Sequence, residues 1–155
     1  MFYRIINLSF LFVIGCSFFN KEINPGSKKY FLGITDTKLF QKHVEQVMLE
    51  NGFSIEYYDN DAFSANIITR WRTRDPYPSD LENGFLDTKI RLIIKGLIKN
   101  NSYKENNGFK YECYLTIENK AYDGNGYVHY LLTPELTEEL NNILSLLREK
   151  FDYYN

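Results

Sequence analysis

The chain has 155 residues, of which 44% are apolar, 25% charged and 17% aromatic, a globular composition and not a disordered one. A net charge of −2 is too close to zero for a nucleic-acid binder, and two histidines far apart in sequence, His43 and His129, exclude a histidine-rich metal site. The length suits one domain.

Residues 1–16 open with a single basic side chain, Arg4, and continue in an apolar stretch from Ile5 to Ile14. A membrane-spanning helix needs about 20 apolar residues, so this stretch has the size of a signal-peptide core. It ends in Val13-Ile14-Gly15-Cys16. These four residues resemble the lipobox of bacterial lipoprotein signals, with Ile14 standing where a smaller residue is more usual. The resemblance implies cleavage before Cys16, lipidation of its thiol, and a place in the bacterial cell envelope. Ser17 agrees with outer-membrane sorting facing the periplasm, because inner-membrane lipoproteins commonly carry Asp there. Two or three acyl chains anchor stably where one is marginal. The resemblance thus divides the chain into a signal peptide (1–15), a lipidated tether (16–34) carrying the turn Asn24-Pro25-Gly26, and one domain (35–155). With Cys16 lipidated, Cys113 is left alone as a small core residue.

The first helix is expected over Thr37–Asn51, capped by Asp36, with Phe40, Val44, Val47 and Met48 on one face and Gly52 ending it. Four strands follow. Residues 53–58 and 63–72 read as a hairpin across Asp59-Asn60-Asp61, with Phe63, Ala65, Ile67 and Trp71 inward and Arg70 and Arg72 outward. A polar link with Pro76 and Pro78 leads to a strand near Thr88–Lys99, with Ile90, Leu92 and Ile94 inward and Lys89, Arg91 and Lys95 outward. After a polar turn at Asn100–Gly108, the fourth strand puts Phe109, Tyr111, Cys113, Leu115 and Ile117 inward. Residues 127–132 allow a short fifth strand. A final helix begins at Thr133-Pro134 and carries the stripe Leu136, Leu140, Ile143, Leu144, Leu147 and Phe151.

This order predicts an α+β fold: a two-layer antiparallel sheet of four or five strands, flanked on one face by an N-terminal and a C-terminal helix. It looks like the helix-grip domains of envelope-assembly lipoproteins of the BamC type, a likeness that transfers no residue-level function.

No nucleophile–base spacing, phosphate loop, thiol pair or calcium loop is present, so no catalytic residue, metal or cofactor is expected. The constellation with functional content is basic. Arg70, Arg72 and Arg74 share one face of the second strand, and Lys89, Arg91 and Lys95 one face of the third. One reading is a docking surface for an anionic partner; the plainer one is a solvated sheet face balanced by Glu56, Glu112 and Glu118. The chain then reads as a non-catalytic envelope lipoprotein, an accessory or docking subunit with an envelope protein partner, held to the membrane through Cys16. The alternative is a carrier of a small apolar ligand or lipid, its sheet–helix groove lined by Trp71, Tyr111 and Tyr130.

Overall fold

The computed structural model describes residues 27–99 and 109–152. The signal core, the lipobox with Cys16, the tether as far as Gly26 and the turn Asn100–Gly108 lie outside the described residues. The elements run β1 (Ser27–Asp36), α1 (Thr37–Glu50), β2 (Ile55–Asn60), β3 (Ser64–Thr69), β4 (Arg72–Arg74), α2 (Pro78–Glu82), β5 (Thr88–Ile98), β6 (Lys110–Tyr122), β7 (Tyr127–His129) and α3 (Pro134–Lys150).

The class is α+β, and the sheet is antiparallel. Its order is β1-β6-β5-β3-β2, with β4 pairing β5 beyond β3 and β7 pairing β6 beyond β1. The described residues hold seven strands and three helices, more than the four or five strands and two helices expected. The additions are short or irregular: β4 has 3 residues, and α2 has 5 and lies in the proline-bearing link. β1 takes in residues 27–34, assigned above to the tether, and pairs along β6 from Ser27↔Glu118 to Asp36↔Lys110. Its register shifts between Phe31 and Gly33, where Gly33 takes φ 128, a region that disfavours side chains.

β5 and β6 form the centre. Along both, every second residue is buried, and Leu92↔Ile117 and Ile94↔Leu115 face each other on the core side. At Gly96 the Tyr111 ring lies flat across the neighbouring strand, and a Cβ there would stand 2.8 Å from Tyr111 Cγ. Phe63 and Phe109, expected inward, precede β3 and β6 and are 74% and 48% exposed. Each lies just outside its strand, Phe63 O still accepting the Ile98 N–H and Phe109 O the Thr37 N–H, and the strand's alternation does not carry over to its side chain.

Both long helices cover the same side of the sheet. Phe40, Val44, Val47 and Met48 of α1 join Leu136, Leu140, Ile143, Leu144 and Leu147 of α3 in one core with Ile67, Ile90, Leu92, Leu115 and Ile117. Their starts are capped as the sequence indicates. The Lys38 N–H donates to Asp36 Oδ1 at 2.8 Å, and the Leu136 N–H to Thr133 Oγ1 at 3.3 Å. Phe151 follows α3 and stacks 6.2 Å from Phe40, and the Asp152 N–H donates to Ile34 O, tying the end of α3 to β1.

Leu144 is 3% exposed within this core. Leu144→Ala is expected to lower unfolding stability by about 2–5 kcal/mol. Urea denaturation at neutral pH measures it, and an unchanged midpoint would contradict the packing.

Candidate docking face

A one-residue irregularity sets the placement of the basic side chains. Between the pairs Ile68↔Ile93 and Arg72↔Ile90, the β3–β4 chain takes one residue more than β5. Side chains alternate with a period of two, so one extra residue exchanges the faces of everything after it. The buried Thr69 bridges the break, its Oγ1 accepting the Leu92 N–H at 2.9 Å. Trp71, expected inward, therefore stands on the open face. Arg72 and Arg74, expected outward, lie opposite the buried Ile90 and Thr88 on the helix side.

Arg74 is 8% exposed and grips Asp80, itself 0% exposed, through two nitrogens at 2.6 and 3.2 Å. Its Nη2 also donates to Asn119 Oδ1 at 3.3 Å, and the Tyr77 N–H donates to Asp80 Oδ2 at 2.8 Å. Asn119 in turn donates to Leu131 O, so this buried pair joins β4, α2, β6 and the approach to α3. Arg72 lies over the Phe53 ring at 4.1 Å and pairs with Glu139 at 2.7 Å. Tyr77 donates its hydroxyl to the same Glu139. Burial first, then that carboxylate, pushes the Tyr77 phenol up to about 12. A shallow pocket of about 430 Å³ lies among these groups. Both guanidiniums are thus engaged in holding elements together. Arg70 is exposed at the break, its N–H donating to Ser54 O at 2.8 Å.

The structure keeps Lys89, Arg91 and Lys95 on the open face and adds members the sequence reading missed. Trp71 is a hub: Lys89 Nζ lies 5.4 Å, Arg91 Cζ 4.7 Å and Lys120 Nζ 5.0 Å from its ring centre. Lys89 also sits 3.3 Å over the Tyr127 ring. Arg91 donates from Nε to Glu118 at 2.6 Å. Further along β6, Lys29 of β1 stands 4.0 Å over Tyr114, whose ring lies 5.5 Å from Phe31. Lys120 was legible, since carrying the alternation of residues 110–118 two residues further puts it outward. His129 pairs opposite Lys120 at the same edge, where burial and then Lys120 hold its imidazole below the ordinary 6.5.

The three aromatics proposed for a groove do not meet in one. Trp71 faces the open side, Tyr111 covers Gly96 in the core, and Tyr130 packs 4.6 Å from Phe85. Cys113 is fully buried, and desolvation pushes its thiol upward, away from nucleophilic reactivity. Among the described residues, no group of three or more histidine, cysteine and carboxylate side chains is placed to hold a metal ion, and no helix is long and apolar enough to cross a membrane. Protein-family models and curated proteins give no match to this chain.

Two measurements check this geometry. Arg74→Met leaves a buried carboxylate uncompensated and is expected to cost about 3–5 kcal/mol, whereas adding Asp80→Leu recovers part of the loss; a double-mutant cycle in urea separates the two. His129 is expected to titrate below 6.5 by NMR, because burial, and after it the charge of Lys120, disfavours the imidazolium. Its contribution to stability is then complete above 6.5 and falls as the pH drops from 6.5 to the folded midpoint. Lys120→Glu should raise that midpoint, and an unmoved midpoint would detach His129 from this face.

Proposed function

We propose that this protein is a non-catalytic lipoprotein of the bacterial cell envelope, acylated at Cys16, whose α+β domain serves as an accessory or docking subunit and makes contact through the open face of its sheet. The observation that carries this reading is the cluster of Lys89, Arg91 and Lys120 around Trp71. An ordinary solvated face balances its cations with carboxylates across strands. Here only Arg91 of the three does so, through Glu118, and the lysines rest on aromatic rings. Such a face attracts an anionic component of the envelope through a salt-sensitive field.

The anchor reading rests on Val13-Ile14-Gly15-Cys16 and the short apolar core before it. It places the domain on a tether at the membrane, with the outer membrane facing the periplasm as the proposed site. A carrier function is less favoured, since Trp71, Tyr111 and Tyr130 line no common groove.

Mass spectrometry of the membrane-bound protein is expected to find acyl chains on Cys16, and Cys16→Ala to lose them. An unmodified Cys16 in membrane-bound wild type would refute the anchor. Crosslinked capture from native membranes should weaken in Lys89→Glu/Arg91→Glu with the melting temperature nearly kept. Unaltered capture by the folded variant would return the face to ordinary solvated surface.

A further inference from the structure

We infer that the open face of the sheet seats the domain on an anionic phospholipid surface, with its cations meeting headgroup phosphates and its aromatic rings entering the headgroup layer. This rests on the docking reading above and names the component docked. Three observations on the face lead to it.

The first is the state of the cations. Lys29, Lys89, Lys95 and Lys120 form no ion pair with a carboxylate among the described residues. Three of them are held over rings: Lys29 over Tyr114, Lys89 over Tyr127 and Trp71, and Lys120 over Trp71. A ring fixes an ammonium group without neutralising it, so each keeps its full charge for an incoming phosphate. Of the acids near them, Glu118 pairs with Arg91, while Glu112 and Asp87 accept from the neutral hydroxyls of Tyr114 and Tyr127, and Asp61 feels Lys95 without a direct ion pair.

The second is the company the cations keep. Phe31 is 38%, Tyr57 49%, Tyr122 41% and Tyr127 37% exposed, on strand positions that share this face. Trp and Tyr carry an apolar body with a polar edge and concentrate where hydrocarbon gives way to headgroups. Rings and lysines interleaved on one surface satisfy both layers of that boundary.

The third is the shape. Lys89, Arg91 and Lys95 run along one strand for about 20 Å, and Lys29 lies two strands across, about 10 Å away. A charge array spread over a broad sheet face suits an extended anionic plane better than a compact acidic knob on a protein. Each basic side chain near an anionic leaflet strengthens binding by a factor of roughly five, so several together give useful affinity without any deep pocket.

Trp71 is the one tryptophan in the chain, so its fluorescence reports on this face alone. The full-length protein is added to vesicles of phosphatidylcholine and to vesicles in which phosphatidylglycerol replaces part of it. Any acyl anchor or apolar N-terminal segment is common to both. With phosphatidylglycerol, Trp71 emission should shift to the blue, lose quenching by acrylamide and gain quenching by brominated lipid chains, and high salt should reverse all three. Lys89→Glu/Lys120→Glu, with its melting temperature as the control for folding, should weaken the response by at least about tenfold. Identical Trp71 behaviour on both vesicles would overturn the inference. So would salt-sensitive crosslinking of the face to an envelope protein with no lipid response, which would leave the docking reading standing. A lipid response in Cys16→Ala, which cannot carry an acyl chain, would uphold the inference independently of the anchor.

Discussion

The extra residue between Thr69 and Arg72 decides on which side of the sheet this protein keeps its charges. Strand side chains alternate strictly, so a strand has no graded way of moving one residue to the other face; it can only insert a residue and move all that follow. That insertion sends Trp71 out and takes Arg72 and Arg74 in. Both results depend on the same backbone step. A regular strand would bury the indole and strip the open-face lysines of the ring that holds them. It would also leave Asp80, fully buried, without its cation.

The inward arginines explain how the ends of the sheet are closed. The helix face is apolar over most of its extent, but the loops leading into α2 and α3 bring unpaired backbone groups close to it. Arg74, Asp80 and Asn119 supply matched donors and acceptors there, reaching Tyr77 N–H, Asp75 O and Leu131 O. A charged pair so placed adds little net stability compared with a well-packed apolar one, yet losing either partner is costly. Its contribution lies in fixing one arrangement of loops that carry few apolar anchors of their own. Arg72 does the same from a more exposed position, joining Asn51 at the end of α1 to Glu139 in α3 across the Phe53 ring.

Much of the fold was legible because its main elements have long, uninterrupted periods. α1, β5 and α3 match their sequence patterns to within a residue or two, helix caps included, and β6 keeps its expected alternation while running four residues further, to Tyr122. What escaped has a physical reason in each case. β1 is interrupted by its register shift: Leu32 and Thr35 are buried while Ile34 between them is only partly so, a spacing that no period of two reveals. β4 and α2 are too short to show any period. Residues 63–67 alternate apolar with polar, but the doublets Ile67-Ile68 and Thr69-Arg70 then blur the phase, and which face Trp71 and Arg72 take becomes visible only in the pairing with β5. Of the six basic residues singled out, two change face. Lys89, Arg91 and Lys95 sit on an unbroken strand, whereas Arg72 and Arg74 follow the break.

The correction removes two cations from the open face, but the surface it leaves is more distinctive than the row of charges first expected. A row of arginines and lysines on a sheet is what solvation alone selects. Lysines seated on half-buried rings are a different arrangement, because the ring restrains the ammonium group while the charge stays uncompensated. Trp71 makes this possible by standing outward between β5 and the sheet's β3 side, within reach of residues from both β5 and β6. The other side of the sheet is closed by α1 and α3 over a continuous core. On the docking reading proposed above, an arriving anion would meet cations already positioned, with little side-chain entropy left to lose on contact. The residue inserted before Arg72 gives the helix side its polar clasp and the open side its indole, and so joins the stability of the domain to the chemistry of the surface it presents.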